Sequence, residues 1–141
     1  MVFFYAKIMN SKLLYLEEVD FVSKAYYSDF EAKIYSVKSE VNKLANKYLF
    51  SILEYKRLIR KVTDLKNKIP IYFSKSLLLF YVRCDNVVYW INFCNILKVC
   101  YEEKIYVIFK CGKILKLDIS ISVLKRELVK IEKVLDYINN L

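Results

Sequence analysis

Tyr106-Val-Ile-Phe-Lys-Cys-Gly112-Lys-Ile-Leu-Lys-Leu-Asp-Ile-Ser120, running on into an amphipathic stretch from Ser122 to Tyr137, decides the fold class. Gly112 is the only glycine of the chain and separates two apolar segments, Tyr106–Phe109 and Ile114–Ile119. A glycine there predicts a hairpin, because it reaches positive φ without a Cβ penalty. Near Ser120 the hydrophobic period changes from two residues to about 3.6, the mark of a strand giving way to a helix. Asp118 and Ser120 are placed to turn the chain and cap that helix. Val123, Leu124, Leu128, Ile131, Val134, Leu135 and Ile138 make its inner stripe. Its outer face mixes Lys125, Arg126, Lys130 and Lys133 with Glu127 and Glu132, and Glu127 can pair with Lys130.

Working back from the hairpin, short apolar runs follow one another with brief turns. Lys104–Phe109 and Lys113–Ile119 are its two arms. Ile71–Phe73, Leu77–Val82, Val87–Phe93 and Ile96–Tyr101 read as strands, and turns this short predict an antiparallel meander. At the other end Lys12–Glu17, Phe21–Tyr27 and Ala32–Tyr35 read as three strands, with Asn10-Ser11 ahead of the first. Between the two strand groups lie two helices. Ser39–Leu53 carries Val41, Leu44, Ala45, Tyr48, Leu49 and Ile52 at helical spacing, with Ser39 as its predicted N-cap. After a break near Ser51–Glu54, Tyr55, Leu58, Ile59, Val62 and Leu65 form a second apolar stripe, which Pro70 is expected to end. The fold class is therefore α+β. An antiparallel β meander, open or partly closed into a barrel, carries two central helices and a C-terminal amphipathic helix packed on the sheet, in one domain over residues 1–141.

The second helix also carries the densest basic face. From Glu54 to Lys68 there are six basic residues, Lys56, Arg57, Arg60, Lys61, Lys66 and Lys68, against Glu54 and Asp64. The whole chain of 141 residues has a net charge of +9. Such a balance favours phosphate-bearing partners, nucleic acid or an anionic membrane surface. A lysine-rich solvated surface, or the codon bias of an A/T-rich genome, accounts for the same composition. Trp90 alternates with Tyr89 and Ile91 in a strand and is read as a core residue rather than a base-stacking one.

Several chemistries are excluded or disfavoured. The chain has no histidine, which removes Ser-His and Cys-His nucleophile systems. A single glycine removes phosphate-cradling loops. Cys84, Cys94, Cys100 and Cys111 show no Cys-x-x-Cys spacing and are read as reduced thiols rather than as a zinc site. No cofactor, metal or enzymatic activity is expected. The longest uncharged run, Asn86–Leu97, is too short to span a bilayer, and Met1–Met9 lacks the basic leader and cleavage site of a signal peptide. A cytoplasmic location is expected.

Taken in order, the landmarks resemble the competence transcription factor (ComK) family of Gram-positive bacteria. They are Asn10 with Leu13–Leu16, then Ile34-Tyr35-Ser36 before a helix. Tyr55 and Arg57 answer to a Tyr-x-Gly-Arg element, with Lys56 in place of its Gly. Lys68-Ile69-Pro70-Ile71 answers to a Lys-x-Pro-Ile strand opening, and Phe80 to a Phe-Pro-Thr element in which Tyr81-Val82 depart from the pattern. Trp90-Ile91 with Ile96 follows, then Phe109, Gly112 and Leu117-Asp118-Ile119-Ser120 before the closing helix. The loop before Trp90 is shorter than the family's, and Val88 stands where the family has Cys. The resemblance spans residues 10–135. It implies a divergent member: a transcriptional activator that binds A/T-rich boxes in double-stranded DNA as a homo-oligomer, with an adaptor of a regulatory protease as a further partner. Lys56, Arg57, Arg60, Lys61, Lys66 and Lys68 are the candidate DNA-binding residues. Two alternatives stay open. One is a degenerate relative acting as a protein-interaction module, through mixed oligomers or adaptor titration. The other is a pleckstrin-homology-like domain for peptides or lipid headgroups.

Overall fold

The computed structural model describes residues 12–141. Asn10-Ser11 and the Met1–Met9 segment lie outside the described residues. Three strands come first: β1 (Leu13–Val19), β2 (Val22–Tyr27) and β3 (Glu31–Ile34). Helices α1 (Val37–Lys47) and α2 (Ile52–Val62) follow. Six more strands are β4 (Ile71–Ser74), β5 (Leu77–Cys84), β6 (Val87–Asn92), β7 (Ile96–Tyr101), β8 (Ile105–Phe109) and β9 (Ile114–Leu117). The chain closes with α3 (Ile121–Asn139). The α+β class and the C-terminal helix on the sheet are as the sequence predicts.

The strands form two antiparallel sheets, and neither closes into a barrel. One has six strands in the order β3-β2-β1-β6-β5-β4; the other has three, β7-β8-β9. The expected meander thus holds from β4 to β6 and again from β7 to β9, but it breaks between them. The break is at Asn92, which is buried. Its Oδ1 accepts from the backbone of Leu78 (3.1 Å) and Cys94 (3.2 Å), and its Nδ2 donates to the carbonyls of Leu13 (3.0 Å) and Ser76 (3.2 Å). One side chain so satisfies backbone groups that a continuing ladder would have paired. The chain turns through Phe93–Asn95 and opens the second sheet.

Both faces of the six-stranded sheet carry a packed core. On one, Leu16, Ala25, Ile71, Phe73, Leu77 and Leu79 pack against Val37, Val41 and Ala45 of α1. On the other, Leu78, Phe80, Val82 and Ile91 meet Ile105, Val107 and Phe109 of the second sheet and Leu124 and Ile131 of α3. A smaller cluster, Ile59, Leu65, Ile69 and Val134, joins α2 to α3. The sandwiching explains why β5 opens with four consecutive buried residues, Leu77–Phe80, rather than with an alternating pattern.

The turns use what the sequence provides. Gly112 sits at φ +95° in the β8–β9 hairpin, and Phe109 N–H donates to the Lys113 carbonyl across it (2.9 Å). A Cβ there would meet nothing within 4 Å, so backbone conformation and not space calls for glycine. The β1–β2 and β5–β6 turns place Asp20 and Asp85 at φ 53°, a region that Asp visits more readily than most residues.

The helix boundaries correct the sequence reading. Ser36, not Ser39, caps α1: its hydroxyl accepts from the Ser39 N–H (3.0 Å), and Val37 is already buried. That helix stops at Lys47 rather than at Leu53. Leu49 turns left-handed (φ 63°) and Phe50 N–H reaches back to the Ala45 carbonyl (3.0 Å). Ser51 then caps α2 through the Glu54 N–H (3.3 Å). Pro70 does not end α2. Thr63 does, with its Oγ1 donating to the Ile59 carbonyl (2.7 Å) and accepting from the Leu65 N–H (3.1 Å). Ser120 caps α3 as expected, accepting from the Val123 N–H (3.3 Å). On α3 the pairing of Glu127 with Lys130 is present (3.1 Å), although Glu127 is buried rather than on the outer face.

Candidate nucleic-acid interface

Alternation along β5 and β6 sends Tyr81, Arg83, Val88 and Trp90 to the helix side of the six-stranded sheet. Leu16 and Glu18 of β1 continue these rows, opposite Trp90 and Val88 respectively. Helices α1 and α2 cover only part of that side. The uncovered part is a groove of about 430 Å³. Its floor is Tyr81 and Trp90, whose rings meet edge to face at 5.5 Å. Trp90 is therefore only half-buried, partly core and partly groove wall, where the sequence reading had it in the core.

Four cations from four separate elements line this groove: Lys38 of α1, Lys56 of α2, Lys68 of the loop after α2, and Arg83 of β5. One carboxylate, Glu18, lines it too and accepts from the Ser23 hydroxyl (3.3 Å). The Lys68 ammonium lies over the Tyr81 ring at 4.7 Å from its centre, an attraction of about 0.5–1 kcal/mol at exposed sites. Lys68 also holds a left-handed backbone (φ 50°), which a residue with a Cβ adopts at a cost. Burial holds the Lys56 ammonium below the ordinary lysine range, and the nearby charges of Arg60, Lys68 and Lys38 push it in the same direction. Like charges crowded in this way are relieved by an anion.

The six predicted residues divide. Lys56 and Lys68 face the groove, and Arg60 adds its charge to Lys56 while its Nε donates to the Lys66 carbonyl (3.1 Å). Arg57 is on the solvent side of α2, paired with Glu54 at 3.0 Å. Such an exposed pair contributes little. Lys61 is exposed near the end of α2, and Lys66 is exposed in the loop. The single basic helix face read over residues 54–68 is thus corrected: α2 ends at Val62, and Lys66 and Lys68 belong to the connection to β4. Sequence reasoning missed Lys38, Arg83 and the aromatic floor. Its nearest signal was the i, i+2 pattern of Tyr81 with Arg83 and of Val88 with Trp90 on paired strands.

Among the described residues no group of three or more His, Cys, Asp or Glu could hold a metal ion. Burial pushes the Cys84 and Cys94 thiols up, so neither is an activated thiolate. No helix among the described residues is long and apolar enough to cross a membrane. Compared with protein-family models, curated proteins and solved structures, the chain matches none.

Proposed function

We propose that this protein is a DNA-binding transcription regulator of the kind the competence family represents, and that it contacts A/T-rich duplex DNA through the groove between α1, α2 and β5. One observation carries the reading: Lys38, Lys56, Lys68 and Arg83 converge from four elements against a single carboxylate. Phosphates are the ligand that such a cluster suits, since each neutralised phosphate releases counterions and makes binding salt-dependent. The narrow minor groove of A/T-rich DNA draws in Lys and Arg more strongly than average sequence does. Binding as an oligomer on paired boxes follows from the resemblance alone.

A gel shift on A/T-rich and G/C-rich duplexes across a salt series tests this. Affinity should fall steeply with salt, and Lys56→Ala with Lys68→Ala should flatten the log–log slope by about 2, close to one unit per lost phosphate contact. Salt-independent binding, or a double variant with the slope of the parent, sinks the proposal.

A further inference from the structure

On the other side of the six-stranded sheet lies a second, larger groove of about 560 Å³. Strand β7 forms one wall and the C-terminal end of α3, with Leu135 and Asn139, forms another. Among the described residues β7 pairs only with β8, so the backbone groups of its outer edge take part in no ladder. Three large apolar side chains stand exposed on that strand: Leu97 at 61%, Val99 at 36% and Tyr101 at 55%. An open edge with apolar side chains is a template for one more strand. Edge strands that avoid partners carry inward-pointing charges or proline. β7 has one charge, Lys98, and no proline.

The groove's own charge selects the occupant. Lys75, Lys98 and Lys110 line it, and no carboxylate does. A second copy would bring the same three lysines on a chain of net charge +9. Self-pairing along β7 therefore sets like charges together. A strand with acidic side chains does the reverse. We propose that the β7 edge takes an extended peptide of alternating apolar and acidic residues from a partner protein. The peptide's backbone would complete the free ladder, its apolar side chains would enter the groove, and its carboxylates, on the strand's other face, would meet Lys98 and Lys110. This site is separate from the lysine-lined groove on the helix side.

The test uses the full chain and a fluorescein-labelled nine-residue peptide of alternating Glu and Val, followed by fluorescence anisotropy. Saturable binding is expected. N-methylation of the backbone at all Val positions, or at all Glu positions, removes donors on one edge at a time, so one of the two should weaken binding about tenfold or more, a loss of about 1.4 kcal/mol. The double variant Lys98→Glu, Lys110→Glu should weaken it by about as much, with an unchanged melting curve and unchanged DNA gel shift. Maleimide labelling read cysteine by cysteine should show the peptide protecting Cys94, which lines the groove, and not Cys111. Equal binding of both methylated peptides would mean charge attraction without strand addition, and overturns the proposal. So does loss of DNA binding in the lysine double variant, or a homodimer in sedimentation that the peptide cannot displace.

Discussion

Phe80 and Tyr81 are neighbours on β5 and live in different environments. Phe80 points to the three-stranded sheet and α3 and is 1% exposed; Tyr81 points to the helix side and borders a groove rimmed with cations. The difference belongs to the covering layers rather than to the strand. On Phe80's side the second sheet and α3 pack directly over this residue and bury it in the core. On Tyr81's side two short helices leave one end of the sheet bare, and four cations gather there. Phe80 and Val82 of this strand serve the core, and under the proposed function Tyr81 and Arg83 would serve binding. The separation can be tested residue by residue.

The largest effect is expected at Phe80. Phe80→Ala should cost about 3–5 kcal/mol in urea unfolding, from lost burial and the cavity left behind. Tyr81→Ala should cost about 1 kcal/mol or less and instead weaken DNA binding. Equal stability losses would show that the two faces are not divided in this way.

Next comes Asn92, where the first sheet ends. Asn92→Leu keeps the branched four-atom side chain, though bulkier, but orphans the N–H groups of Leu78 and Cys94 and the Ser76 carbonyl. A loss of about 2–3 kcal/mol is expected, read by the same denaturant titration. A loss below about 0.5 kcal/mol would show that apolar packing alone sets the break between the sheets.

A smaller effect belongs to Tyr55 on the helix side. Its hydroxyl donates to the Pro70 carbonyl (2.6 Å) and accepts from the Tyr72 N–H (3.2 Å), tying α2 to the start of β4. Tyr55→Phe should cost about 1 kcal/mol at neutral pH. Burial pushes this phenol up to about 12, with the Tyr72 N–H acting weakly the other way. A folded-state value above the unfolded value means that the stability is fully present below pH ~10 and is lost as pH rises through about 12. The variant should therefore lose less stability than the parent between pH ~10 and 12, as followed by circular dichroism. An identical alkaline profile would remove Tyr55 as the cause.

The smallest stability effect is expected at Lys56, whose charge is held in the groove against burial and three neighbouring cations. Lys56→Gln should leave thermal stability unchanged or slightly raised while weakening DNA binding. A clear fall in the melting temperature would place Lys56 among the structural residues instead.

Much of the frame was legible in the residues. Gly112 marked a hairpin because one position needed positive φ, and Ser120 marked a helix start because the hydrophobic period changes there. The end of α2 was not legible. Leu65 and Ile69 fall near helical spacing and are buried, yet they reach the core from a loop after Thr63 has closed the helix. Ser39 reads as the cap on paper, but burial of Val37 brings the helix start back to Ser36. The groove was legible only in part. Lys56 and Lys68 lie close together in sequence, but Lys38 and Arg83 come from distant segments. Their meeting depends on β6 pairing with β1, which no local pattern encodes.

That pairing has a consequence for how the protein is made. Tyr15 lies opposite Ile91, so β1 waits for a strand far downstream before its second edge is filled. At about 5–20 residues per second of synthesis, Ile91 follows Tyr15 by roughly 4–15 s. Throughout that interval β2 is the only native neighbour available to β1, and its other edge has none. The newborn protein is therefore most exposed to wrong pairing along β1.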